Sequence, residues 1–347
     1  MFNVKRIAGI TILLLVIIAV TTIIDVRFLS PFNVRNLLRW TGLFGILSLG
    51  VAFVIITGGI DLSIGSVVAM IGTFTAHLMV HQSVPVLLTL FLMLVLSLLL
   101  GLAHGLFITK LRVQPFIVTL CGLFIYRGMA RFVVNDMTQG YGTGFITLKD
   151  VLVKARIPFS FWPGTPPEIV TQWSLPMPFV VLLLLAIVLA FVLNKTVYGR
   201  HLLALGKNER AARYSGIHTH RVTIIAYMVS ALFAGIGGIL FSLDLNTVQP
   251  SASGQMYELY AIAGCVVGGV SLRGGEGNIT GVIIGTAIVR VLYNSINIAG
   301  IATQLEFAVL GLVILIGVTV DEVAKMVAEK RRIAESAAIE SGQPAAQ

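Results

Sequence analysis

Charge is what this chain has least of. Of its 347 residues only 11% are Asp, Glu, Lys or Arg, while 57% are hydrophobic. A soluble domain carries about 25% charged residues. So thin a polar coat cannot cover so much apolar side chain, which excludes a water-soluble globule and makes the bilayer the solvent for most of the chain. Cysteine is equally scarce. Cys121 and Cys265 sit inside apolar runs, out of metal-ligand spacing, and imply no disulfide framework. His77, His81, His104, His201, His218 and His220 form no metal-ligand spacing either, so no metal is expected. The sequence has no Gly-x-x-x-x-Gly-Lys-Ser/Thr phosphate cradle, so no P-loop nucleotide site is expected in it. It has no paired-carboxylate cluster of the kind a membrane enzyme needs. Acids within the apolar runs are few and no internal repeat stands out, which argues against an ion-coupled secondary transporter. No cofactor is implied.

What the chain has in quantity is apolar runs. A helix needs about 20 apolar residues to cross a bilayer. Ten segments qualify: 7–24, 41–58, 62–80, 84–108, 115–134, 176–194, 222–242, 258–272, 278–297 and 303–320. The run 258–272 is short and rich in glycine, which makes it a candidate for a partly re-entrant segment. The first run follows Lys5 and Arg6 like a signal peptide, but it is longer than a usual signal core and no small-x-small cleavage site follows it. It is read as a retained helix. The expected fold is therefore an all-α integral membrane protein of about ten transmembrane helices, with both termini cytoplasmic.

The basic residues test that topology. The formal charge is +9, which in a soluble protein would suggest nucleic acid. Here it sits in short segments between apolar runs, facing anionic lipid, and no nucleic-acid partner is expected. With the N-terminus inside, 15 Lys and Arg fall on inner segments and six on outer ones, with Arg127, Arg131 and Arg290 inside helices. Three of the outer six, Arg27, Arg35 and Arg39, lie near the N-terminus. The stretch 33–40, which holds Arg35 and Arg39, can form a short amphipathic helix in the outer interface, anchored by Trp40. Residues 135–175 read as an ordered outer loop or partial lid. Residues 1–320 form the transmembrane domain, and 321–347 a charged cytoplasmic tail that is partly disordered.

The most informative stretch is the basic inner loop 195–221. Asn208 can cap a helix start. Glu209 falls in the first turn, where the helix dipole favours an anion. Ala211, Ala212 and Tyr214 continue the helix, and Gly216 is a C′ stop. The result is a two-turn helix over about 207–216. It is either a rigid knob that docks into a cytoplasmic partner or an ordinary basic loop that holds orientation.

This loop closely resembles the coupling loop of ribose/xylose/arabinose-type sugar permeases of ATP-binding-cassette importers. Three other stretches match that family in the same order. Thr57-Gly58-Gly59-Ile60-Asp61-Leu62-Ser63-Ile64-Gly65-Ser66 is similar to its Gly-Ile-Asp-Leu-Ser-Val-Gly signature. Arg112-Val113-Gln114-Pro115-Phe116-Ile117-Val118-Thr119-Leu120 is similar to the start of its fifth helix. Gln249-Pro250, Tyr257-Glu258-Leu259 and Gly268-Gly269-Val270-Ser271-Leu272-Arg273-Gly274-Gly275-Glu276-Gly277 are similar to its glycine-rich block, and Asn294 and Asn297 to its closing Asn pair. The resemblance spans about residues 10–320. It implies a permease subunit in a bacterial inner membrane, a cytoplasmic ATP-binding subunit, a periplasmic sugar-binding protein, and a second permease copy or sister permease. Lys207, Asn208, Glu209, Arg210, Ala211, Ala212, Arg213, Tyr214 and Gly216 would then couple to the ATPase. A branched-chain amino-acid permease is the related alternative.

The remaining candidates have two readings each. Asp61, with Ser63 beside it, caps the helix after the Gly58-Gly59 break, or it serves the pathway or gate. Asn294 and Asn297 share a helix face and bond sugar hydroxyls or neighbouring helices. Arg290 is expected to pair with Glu306 on the last helix. Glycines at spacing four (Gly101 and Gly105; Gly264 and Gly268; Gly277, Gly281 and Gly285) pack helices closely or act as hinges. The chain departs from the family pattern in three places. Tyr260 stands where an Asp is usual, and Arg290 and Ser295 where Gly is usual, which changes polarity in helices that are candidates for the pathway.

Overall fold

The computed structural model describes residues 4–137, 139–140, 150, 156–158 and 174–302, with isolated positions beyond (305, 307–309, 311, 312, 315, 316, 319 and 326). Among the described residues, eleven α-helices follow in chain order: α1 Val4–Ile24, α2 Pro31–Ile56, α3 Ile64–Val80, α4 Val86–Lys110, α5 Pro115–Val133, α6 Met177–Lys195, α7 Val197–Lys207, α8 Glu209–Tyr214, α9 Thr219–Leu245, α10 Tyr257–Val267 and α11 Ile279–Ile298. Two short antiparallel ladders join β1 (Gln139–Gly140) to β4 (Thr247–Val248) and β2 (Arg156–Pro158) to β3 (Ser174–Pro176). Among the described residues, seven helices are long and apolar enough to cross a membrane: α1, α2, α4, α5, α6, α9 and α11.

The fold is organised around α2. Every residue from Thr41 to Ile56 is buried, as expected of a helix that is apolar on all sides. Close approach depends on glycines along it and along its neighbours. A methyl group on Gly42 would lie 2.5 Å from the backbone of Pro178 and Phe179 at the head of α6. The α4–α9 contact rests on Gly101 and Gly105, where added methyls would meet the Tyr227 carbonyl at 2.5 Å and the Ile224 Cα at 2.7 Å. Gly264, Gly268, Gly281 and Gly285 line the seam between α10 and α11, each facing backbone or the Thr286 hydroxyl of the opposing helix. Gly277 stands apart from that seam, against the Ile56 side chain. The spacing-four glycines of these two helices are thus contact points between backbones.

Two features differ from the sequence expectations, and a third decides a reading the sequence left open. The stretch 33–40 is not a separate interfacial helix but the first turns of α2. Ser30 caps α2, its hydroxyl accepting from the Asn33 N–H, and Pro31 occupies the first turn, a strong start signal. The polar residues of these turns find partners inside the protein: Arg39 pairs with Asp244 on α9 at 3.1 Å, and Asn33 with Asn294 on α11. Next, the run 258–272 is not a full span. Helix α10 has 11 residues, about 16 Å at 1.5 Å per residue, roughly half of a 30 Å hydrocarbon core. It begins beside Phe44, near the middle of α2, and the turn after it reaches the end of α2, where the Gly275 N–H donates to the Ile56 carbonyl at 2.8 Å. Lastly, the inner loop contains two helices, because α7 precedes the short knob. The run 303–320 and the tail 321–347 lie mostly outside the described residues, as does most of 135–175.

Candidate functional site

Two places gather the functional candidates, one at each end of α2. The first is the knob α8. Asn208 adopts an extended conformation and its Oδ1 accepts from the Ala211 N–H at 3.0 Å. Glu209 in the first turn pairs with Arg213 at 3.0 Å, one helical turn on. At the other end Gly216 has φ +83°, its N–H donates to the Arg213 carbonyl at 3.0 Å, and the Ile217 N–H donates to the Ala212 carbonyl at 3.1 Å. Those two bonds form a Schellman closure. Six residues held between two such caps make a rigid piece rather than a flexible loop. Tyr214 is 93% exposed while Ala212 is 5% exposed. Lys207, Arg210 and Ala211 are also exposed. The outward face therefore carries Arg210, Ala211 and Tyr214, whereas Ala212 faces the protein and Arg213 is tied to Glu209.

The knob stands on a braced base. A methyl on Gly206, the last residue but one of α7, would collide with the Ile56 carbonyl at the end of α2 and with the Gly275 N–H. Gly274 and Gly275 hold φ of +82° and +75°, and methyls there would meet Gly58 and Lys207 backbone atoms at 2.8 and 2.7 Å. The ends of α2, α7 and the α10–α11 turn thus share one contact point directly beneath Asn208.

Asp61 and Ser63 lie beside this junction. Asp61 is 1% exposed. Its Oδ1 accepts from the Ser63 N–H at 3.0 Å and the Ser63 hydroxyl at 2.6 Å, and its Oδ2 accepts from the Ser230 hydroxyl of α9 at 2.8 Å. The neighbouring Ile60 carbonyl accepts from the Tyr227 phenol at 3.2 Å. The carboxylate therefore folds the turn that leads into α3 and ties it to α9. Ser230 and Tyr227 carry no motif of their own, and nothing in the sequence marks them as its partners.

The second place is a cavity of about 390 Å³ near the head of α10. It brings together Tyr260, Arg290 and Asn294 from the sequence candidates with Trp40, Phe44 and Tyr293. The Arg290 guanidinium carbon lies 4.5 Å from the Tyr293 ring centre, 4.6 Å from Phe44, 5.5 Å from Trp40 and 5.8 Å from Tyr260, within cation–π range of all four. Asn294 exchanges two amide hydrogen bonds with Asn33, at 2.9 and 3.0 Å. Asn36, also on the cavity wall, accepts from Arg39 at 2.8 Å. Asn297 is not in the cavity; it is exposed and bonds back to the Tyr293 carbonyl at 2.9 Å. Glu306, the expected partner of Arg290, lies outside the described residues. The aromatic cage escaped sequence reasoning because its rings come from α2, α10 and α11, and Trp40 alone reads as an interfacial anchor.

The wall of the cavity includes non-helical backbone. Residues 249–256 turn back from β4 toward α3, with Gly254 (φ +71°) packed against Gly65 so closely that no side chain fits. Arg127 of α5 holds this turn by donating to the Pro250 carbonyl at 3.0 Å and to the Ser253 carbonyl. Such backbone is tolerated at membrane depth where it is buried in protein or lines a hydrated cavity.

A family model described as the branched-chain amino acid transport system / permease component matches residues 33–318. The chain is 35% identical to the ribose import permease protein of Bacillus subtilis (strain 168) over 317 residues, covering 89% of this chain and 90% of that protein. It is 35% identical to the ribose import permease protein of Escherichia coli (strain K12) over 308 residues, covering 89% and 91%. It is 32% identical to the xylose transport system permease protein of Haemophilus influenzae over 340 residues, covering 86% and 90%. No solved structure matches this chain.

Proposed function

The chain belongs to the branched-chain amino acid transport system / permease component family, and on that premise we propose that it is the membrane-spanning subunit of an ATP-driven importer of a monosaccharide or related polyol. The observation that carries this reading is the near full-length similarity to ribose and xylose permeases, although the family description names branched-chain amino acids. A periplasmic binding protein delivers the sugar, two permease subunits enclose the path, and a separate cytoplasmic ATP-binding subunit supplies the work. The chain crosses the bacterial inner membrane about ten times with both ends inside, and residues 321–347 follow the 1–320 permease domain on the cytoplasmic side.

The knob α8 is the coupling element. Its two caps make it a lever rather than a tether, and its base touches α2 and the α10–α11 turn directly. A displacement imposed on Tyr214, Arg210 or Ala211 by a closing ATPase reaches the central helix through the Gly206–Ile56–Gly275 contact. Packed junctions move as units because interiors are close-packed. The 15-to-6 inner bias of basic residues, counted with the N-terminus inside, supports a cytoplasmic position for this knob.

The test is reconstitution of the chain in vesicles with its ATP-binding subunit and its binding protein. ATP hydrolysis and uptake should both rise on adding an aldose that the binding protein recognises. Uptake by this chain alone, without a nucleotide-hydrolysing companion, would overturn the proposal.

A further inference from the structure

We propose that the cavity at the head of α10 is a sugar relay site inside this chain, taking a neutral monosaccharide-sized polyhydroxy compound, with Tyr260 and Arg290 as its specificity-determining residues. The inference rests on the sugar-importer reading and adds the place in the chain where the substrate pauses. At about 390 Å³ the cavity falls in the range of small-molecule sites. Its lining suits a sugar, which has apolar C–H faces and a rim of hydroxyls. Trp40, Phe44 and Tyr293 offer ring faces, while Asn36, Gln255 and Asn294 offer amides that both donate and accept. Asn36 and Asn294 are already oriented by Arg39 and Asn33. Arg290, 6% exposed and laid across four rings, lines the same wall, and its guanidinium carries several N–H donors suited to hydroxyl oxygens.

The site also sits where the half-length helix α10 begins. Gln255 and Tyr257 reach it from the re-entrant turn and the first residue of the half-length helix α10. The far end of α10 leads to the Gly274–Gly275 turn that braces the knob. One 11-residue helix thus separates the substrate cavity from the coupling junction.

The experiment uses the complete complex in nanodiscs and in vesicles, with D-ribose, D-xylose and L-leucine as probes. Tryptophan emission should change saturably with at least one aldose, not with L-leucine, and the response should vanish in Trp40→Phe. In transport, Tyr260→Trp, which fills the cavity, and Arg290→Lys should raise KM for the aldose about tenfold, corresponding to about 1.4 kcal/mol. Binding-protein affinity should stay unchanged, and Gly128→Ala, at a position with open space around it, should transport as wild type. If a variant fails to assemble, the fluorescence titration of wild type against Trp40→Phe decides. If wild type imports an aldose but neither emission nor KM responds, the relay site is wrong while the importer reading stands. If L-leucine alone gives the saturable signal, the substrate class is wrong. If wild type moves no aldose under any condition, the importer reading falls and the relay site with it.

Discussion

Asp61 and Ser230 are joined by a 2.8 Å hydrogen bond across 169 residues of sequence, which fastens the turn between α2 and α3 to the middle of α9. A hydrogen bond to a charged group contributes about 1.5–3 kcal/mol, and a buried carboxylate stripped of donors costs more. Ser230→Ala should therefore destabilise the protein by about 1.5–3 kcal/mol, and Asp61→Ala should cost no less. The double variant should lose less than the sum, because both changes remove the same bond. Thermal unfolding in detergent measures all three; strictly additive losses would show the two residues to be energetically independent.

The amide pair Asn33–Asn294 predicts a different pattern. Removing one amide leaves the other without its partner at a half-buried helix contact, whereas removing both leaves an apolar seam. Asn294→Leu alone should be destabilising by about 1–2 kcal/mol. Adding Asn33→Leu should recover part of that loss. A double variant less stable than either single one would refute the pairing as an energetic unit.

Glycine substitutions separate seams from surface. A methyl on Gly264 would lie 2.6 Å from the Thr286 hydroxyl, while Gly128 has nothing within 4 Å. Gly264→Val should force α10 off α11 and sharply reduce the yield of folded, monodisperse protein, since overpacking costs about 1–3 kcal/mol or more. Gly128→Ala should leave the yield unchanged or improve it slightly, given the helix preference of Ala over Gly. Equal yields of the two variants would show that the α10–α11 seam tolerates separation.

At the knob, stability and coupling should part company. The Glu209–Arg213 pair is 56% exposed on both sides, and such i,i+4 pairs contribute only about 0.3–0.5 kcal/mol. Replacing Glu209, Arg210 and Arg213 together should leave the unfolding temperature nearly unchanged while abolishing sugar-stimulated ATP hydrolysis in the reconstituted complex. Asn208→Ala should act through the fold instead, loosening α8 by about 1 kcal/mol, and should weaken coupling only partly. Wild-type stimulation in the triple variant would remove α8 from the coupling path.

How much of the site was legible depended on how local its physics is. The knob could be read because capping is a matter of adjacent residues: Asn208, Glu209 and Gly216 announce their roles within one loop, and the structure places a helix between them. Which face of that helix is free could not be read. Ala212 turns inward, and that depends on how α8 sits against the rest of the protein, whereas the i,i+4 pair of Arg213 with Glu209 is local to the helix. The start of α2 shows the opposite case. Ser30-Pro31 is a start signal in plain view, but the apolar run begins ten residues later, and a search for bilayer-length runs follows hydropathy rather than caps.

By itself the sequence determined the solvent and the partition of the chain. Burying or coating 57% hydrophobic residues with 11% charged ones is impossible in water, and the short capped knob follows from residues next to one another. Only the tertiary structure decided that α10 starts halfway along α2, that Asp61 belongs to Ser230, and that Trp40, Phe44, Tyr260 and Tyr293 enclose Arg290. The reason is that hydropathy and capping act over a few residues or a single bilayer crossing. Those pairings are set instead by which helices can approach closely, and glycines distant in sequence govern that once the chain is folded.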